Sequence, residues 1–236
     1  MQSNPYAPSP STLKDASQGA LEQGASGFRD LGGITRILSM LLLVGAGCEA
    51  LSLVSSLMQL NLLEHAPYSK ALADANDERE RVVHGAQFIL YLVTMVFFAR
   101  WIYLAHRNLP ELGARLLHFT PGWAVGSLFI PILSWWLPYR AMRDLAKASR
   151  NPWRWDLEDT PPVIVIWWIL WLVVEFVGSG ALQMSARDRT LRGFENLTLY
   201  QCVSSVLSVP LYLLARYIVR RVWRDQSDTF TRSGAG

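Results

Sequence analysis

Four apolar runs, each about as long as a bilayer is thick, constrain this chain more than any other feature. They cover roughly Ile34–Leu60, Val82–Leu104, Val163–Leu182 and Leu197–Val219. A helix rises 1.5 Å per residue, so about 20 apolar residues cross a hydrocarbon core of about 30 Å. The charged residues, 17% of the chain against about 25% in soluble domains, gather between these runs. The pattern predicts an all-α integral membrane protein with one transmembrane helical domain over residues 34–224. The Pro-, Ser- and Gly-rich residues 1–33 read as a disordered tail, and residues 225–236 as a short C-terminal tail. The first apolar run starts only at Ile34 and is too long for the core of a cleaved signal peptide, so it reads as an uncleaved span.

A fifth apolar stretch, "FTPGWAVGSLFIPILSWWLPYRAM" (Phe119–Met142), is the ambiguous one. Its 17 residues Gly122–Pro138 would reach about 25 Å as one helix. Pro131 removes a backbone donor in mid-segment and clashes with the preceding turn. Pro121 suits a helix start and Pro138 a restart. Basic residues discriminate between the topologies. With a cytoplasmic N-terminus and a segment that does not cross, 16 Lys and Arg lie inside and 6 outside; if it crosses, the better orientation gives 13 and 9. The positive-inside rule prefers the first arrangement. The expectation is therefore four transmembrane helices plus one proline-broken re-entrant or kinked helical segment, with both termini cytoplasmic.

Each span carries a polar or small stripe at helical spacing. These are Gly45, Glu49, Ser52 and Ser56; His84, Gln87, Tyr91, Thr94 and Phe98; Trp168, Trp171, Glu175 and Gly178; and Tyr200, Ser204 and Ser208, flanked by Gln201 and Ser205. Lipid penalises such faces, so they turn inward, either as interhelical packing or as the lining of a partly hydrated cavity. Glu49 and Glu175 are the sharpest features. A charge at bilayer depth costs a few kcal/mol, so each is neutralised, paired, or in contact with a cation.

Cys48 and Cys202 read as small buried hydrophobes. His65, His84, His106 and His118 show no metal-ligand spacing, and no His-Glu-x-x-His, Gly-x-Ser-x-Gly or Gly-rich phosphate loop occurs. Nothing points to a catalytic residue, a cofactor, a metal site or a nucleic-acid partner. "YRAMRDLAKASRNPWRW" (Tyr139–Trp155) is a basic amphipathic stretch. Met142, Leu145, Ala146 and Ser149 share one face; Arg143, Lys147 and Arg150 share another. Trp153 and Trp155 suit interface anchoring. Its expected partner, beyond the lipid bilayer itself, is anionic lipid headgroups.

"RWIYLAHRN" (Arg100–Asn108), "FTPGWAVGSLFIPILSWWLPYRAMRDLAKAS" (Phe119–Ser149) and "WWILWL" (Trp167–Leu172) together resemble a bacterial membrane-protein family, domain of unknown function 4328, over roughly residues 82–222. The matching positions are Trp101, Asn108, Pro121, Gly122, Trp123, Pro131, Pro138 and Tyr139. Ser134 stands where the family often has Asn, and Leu137 where it often has a basic residue. The resemblance implies a bacterial inner-membrane protein and carries no activity.

Three functions fit these readings. The leading one is a non-catalytic membrane protein that acts through a homo-oligomer or a membrane partner. The alternative is a small transporter or channel using the buried carboxylates and the broken helix; an intramembrane enzyme comes third. The candidate functional residues are Glu49, Glu175, His84, Tyr91, Asn108, Pro121, Trp123, Pro131, Pro138 and Tyr139.

Overall fold

The computed structural model describes residues 27–65, 70–187 and 191–234. Most of the expected N-terminal tail, residues 1–26, lies outside the described residues. Among the described residues the fold is all helical: α1 (Gly32–His65), α2 (Lys70–Glu111), α3 (Pro121–Gly126), α4 (Leu137–Arg150), α5 (Pro162–Arg187) and α6 (Leu191–Gly234). Helices α1, α2, α5 and α6 are long and apolar enough to cross a membrane.

All four outrun their apolar cores. Helix α2 has 42 residues, about 63 Å of helix, because the acidic stretch before Val82 is helical as well. Helix α6 stays helical through Gly234, and Gln226 and Thr229 in its last turns are buried. Residues 225–234, expected as a tail from their polarity, are thus helix, packed at Gln226 and Thr229. Two further junctions follow local chemistry. Beyond α2, Gly113 adopts φ 95°, and the amide of Ala114 reaches back to the Leu109 carbonyl at 3.0 Å. This is a left-handed glycine stop. Helix α3 starts with Thr120 as its cap, whose Oγ1 accepts from the Trp123 amide at 3.2 Å, and Pro121 fills the first helical position.

Around the bundle, α2 packs on α1, α1 on α6, and α6 on α5. Helices α2 and α5 barely touch one another. The gap between them is filled at one end only, where α3 packs on α2 and α4 packs on α2, α5 and α6. That end holds the tightest core: Trp101, Ile102, Leu109, Met142, Leu145, Ile164 and Val219 are all fully buried. Helix α4 supplies the expected face, with Met142, Leu145, Ala146 and Ser149 buried. That face is covered by protein, not by lipid.

A buried polar network ties the same end together. Asn108 Nδ2 donates to the Arg29 carbonyl at 2.8 Å and to Gln226 Oε1 at 3.1 Å. Asn108 Oδ1 accepts from the Arg29 amide at 3.1 Å. Gln226 Nε2 donates to the Ala105 carbonyl and to Ser149 Oγ. Trp101 Nε1 donates to Thr35 Oγ1 at 3.0 Å, and Trp155 Nε1 to the Arg115 carbonyl at 2.9 Å. Trp155 is therefore a core residue, whereas Trp153 is 68% exposed. These bonds place the segment before α1, the end of α2, helix α4 and the end of α6 at one end of the bundle. The first turns of α5 pack there as well, so the chain leaves α2 and enters α5 at the same end.

Between them, the stretch Gly122–Pro138 is not one helix. Six residues of α3 give way to turns, then to a single 3-10 turn at Leu133–Trp135, then to α4. Pro131 cannot donate, and two carbonyls on either side of the break are met by local hydroxyls. Ser127 Oγ donates to the Ala124 carbonyl at 3.0 Å, and Ser134 Oγ to the Pro131 carbonyl at 2.8 Å. The tip is apolar and outward-facing, with Phe129, Ile132 and Trp135 exposed.

Candidate functional site: a two-carboxylate cavity

Above the packed end, the four long helices diverge around a cavity of about 530 Å³. Helix α1 lines it with Leu42 and Glu49. Helix α2 adds Tyr91, Thr94 and Phe98; α5 adds Trp167, Trp168, Trp171 and Glu175; α6 adds Ser204, Ser208 and Tyr212. Leu128, Ser134 and Pro138 of the broken segment form its floor. Glu49 and Glu175, 126 positions apart in the sequence, therefore face one void. Among the described residues, no Lys, Arg or His lines it.

Helical spacing explains why these side chains meet. Trp168, Trp171 and Glu175 stand at steps of three and four on α5, and Ser204, Ser208 and Tyr212 at steps of four on α6. The indoles of Trp168 and Trp171 stack with centroids 4.7 Å apart and planes 16° apart. Tyr139 packs on Trp168 from outside the cavity, with centroids 6.3 Å apart. Tyr212 comes close to α1 at Gly45, where a Cβ would lie 2.8 Å from the ring. Its hydroxyl lies within electrostatic range of Glu49 and Tyr91, and Tyr91 within range of Glu175. The Ser205 hydroxyl is directed at the Glu49 carboxyl. Pro210 stands in α6 between Ser208 and Tyr212 and withholds the amide that would bond the Val206 carbonyl.

The cavity is closed toward the packed end and open at its side. Tyr91, 49% exposed, and Glu175, also exposed, face each other across the gap between α2 and α5. They form the mouth.

The remaining candidates lie elsewhere. His84 is off the cavity, toward the end opposite the packed core. Its Nε2 lies 3.3 Å from Glu80 Oε2 and 3.4 Å from Gln201 Nε2, within electrostatic range of Glu49. Glu80 in turn accepts from Ser55 Oγ at 2.6 Å. A polar file thus leads from that end to Glu49. Asn108 is the tie described above. Pro121 and Trp123 build the start of α3, and Pro131 the break; none of the three lines the cavity. Cys48 and Cys202 are free thiols, both half-buried.

Sequence reading missed Tyr212, although it continues the stripe of Ser204 and Ser208 by one turn. It also missed Asp144, the single acid of the basic helix. Asp144 is buried, pairs with Arg143 at 2.8 Å and lies 3.0 Å from His118 Nδ1. Only the fold reveals that this acid faces inward.

Four long apolar helices around a carboxylate-bearing cavity define a multi-pass membrane protein. Residues 65–224 match the domain of unknown function family DUF4328, and the chain belongs to that family. No curated protein matches the chain, and no solved structure does.

Proposed function

We propose that the protein is a small, non-catalytic transporter of a bacterial cytoplasmic membrane, with both termini in the cytoplasm and a cationic solute held in the cavity. The observation that carries this reading is the pair Glu49 and Glu175 on one void whose lining holds no basic side chain. Each carboxylate at bilayer depth costs a few kcal/mol unless something offsets it. Two of them on one cavity favour a positive occupant, brought from outside.

The broken segment supports the same reading. Irregular backbone at membrane depth is tolerated where it packs in protein or borders a cavity, and Leu128, Ser134 and Pro138 border this one. A re-entrant Gly122–Pro138 would then be the cytoplasmic gate, with the packed core beneath it as the seal. The stronger basic bias of the segments gathered at that end supports a cytoplasmic position for it. Assembly with a partner draws less support. The exposed apolar faces of α2 and α5, Phe88 and Phe176 among them, are covered equally well by lipid.

The test is flux in proteoliposomes across a panel of protons, monovalent inorganic cations and organic onium cations. Wild-type protein is expected to pass at least one of them, and Glu49→Gln and Glu175→Gln each to reduce that flux at least tenfold. Wild-type vesicles no leakier than empty ones across the panel would sink the proposal.

A further inference from the structure

We propose that the cavity takes an onium group carried on an apolar body, and that this ligand enters sideways from the lipid between α2 and α5. The inference rests on the transporter reading and names its substrate class.

Three independent features of the site point to that chemistry. The first is volume: about 530 Å³ is the size of a pocket for an organic molecule. A bare inorganic cation would need six or more oxygen ligands close around it, and most of this lining is aromatic and aliphatic. The second is the aromatic wall. Trp168 and Trp171 line the cavity two turns and one turn before Glu175 on the same face of α5, each covering one face of the other and leaving the opposite face or the edge for a ligand. Indole attracts a cation held near its face by up to about 2 kcal/mol when desolvated, and an onium group with bulky apolar substituents suits both wall and carboxylate. The third is the mouth. Tyr91 and Glu175 flank it, and the exposed residues next to them along the two helices are Leu92 and Val96 on α2 and Val173 and Phe176 on α5. That rim is apolar, so a ligand soluble in lipid meets no barrier there, while its charge finds the carboxylate just inside.

The onium group could arrive on a free lipophilic cation or on a lipid headgroup, and one experiment separates the two. The full chain is placed in nanodiscs of phosphatidylglycerol, whose headgroup carries no cation. Binding of tetraphenylphosphonium is measured by equilibrium dialysis against protein-free discs, with neutral triphenylphosphine oxide as the uncharged counterpart. Saturable, protein-dependent binding of the cation and none of the neutral analogue are expected. Glu175→Gln and Trp171→Leu should each weaken binding at least tenfold, and Trp168→Phe, which keeps a ring in place, by less than threefold. Repeating the titration with half the lipid replaced by phosphatidylethanolamine, against discs in which the same half is an uncharged glycolipid so that the surface charge is matched, identifies the source. A severalfold weaker apparent affinity marks the lipid ammonium as a competing occupant; an unchanged affinity marks a free cation.

Uptake no greater than in empty discs overturns the proposal, as does wild-type affinity in both Glu175→Gln and Trp171→Leu. If the proteoliposomes nonetheless pass protons or small cations through Glu49 and Glu175, only the substrate class falls. If neither assay responds, the cavity reading falls with it.

Discussion

Asn108 shows what a single buried amide can do. It is 0% exposed, and its side chain uses both amide hydrogens and its oxygen on partners from the two ends of the chain, Arg29 and Gln226. Asn108→Ala leaves the buried Gln226 oxygen without its partner, at about 1–3 kcal/mol, and releases the amide and carbonyl of the exposed Arg29 to water. A net loss of about 2 kcal/mol would lower the melting temperature by roughly 4–8 °C in a chain of this size. A melt in mild detergent followed by tryptophan fluorescence checks this, and an unchanged midpoint would mean that the tie contributes nothing. At this scale the sequence was partly legible. Glu49 and Glu175 stood out because a carboxylate in an apolar run is conspicuous. Tyr91 and Ser204 followed from spacing alone. Asn108 was visible only as a recurring position, because its partners lie 79 and 118 residues away. Asp144 looked like one more solvated charge, since nothing local distinguishes an inward acid from an outward one.

Helix α4 poses a different question, because its amphipathic pattern fits two surroundings equally well. A basic helix with one apolar stripe can lie on a membrane or dock on a protein core, and periodicity does not choose between them. Here the stripe packs into the bundle, where Leu145 has no exposed surface, while Arg140 faces outward. Leu145→Ala should therefore destabilise the fold by roughly 2–5 kcal/mol, the range for a buried leucine, whereas Arg140→Gln should change it by no more than about 0.5 kcal/mol. Equal melting midpoints for the two variants and the wild type would return α4 to the membrane surface. The proline segment was better defined in advance. Pro131 favours a break, because both its missing donor and its ring oppose a continuous helix, although α6 runs unbroken past Pro210. The break's exact form, one short helix and a 3-10 turn sealed by Ser127 and Ser134, depended on hydroxyls whose role only the folded backbone reveals. Helix ends were the least legible feature: hydropathy marks where a helix is oily, and α2 and α6 remain helical well beyond that.

Across the whole molecule the four long apolar helices, their order and the proline-broken segment between the second and third bear on one question, that of sidedness. The segment before α1, the end of α2, helix α4 and the end of α6 meet through Arg29, Asn108, Ser149 and Gln226, so they must share a side of any membrane the protein spans. Basic residues concentrate in those same segments, which is why the topology proposed above puts that side in the cytoplasm. The cavity then opens away from the cytoplasm and toward lipid, with its floor on the broken segment. Impermeant thiol labelling of intact cells tests the assignment in a background carrying Cys48→Ser and Cys202→Ser. The reporters are Ala71→Cys at the start of α2 and Leu157→Cys between α4 and α5, both at exposed positions. Ala71→Cys is expected to label in intact cells and Leu157→Cys only after lysis. The reverse pattern would invert the protein in the membrane and turn the cavity's closed end outward. Labelling of both in intact cells would mean that the proline segment crosses after all, which would separate Asn108 from Ser149 by the width of the bilayer and dissolve the seal on which the proposed gate depends.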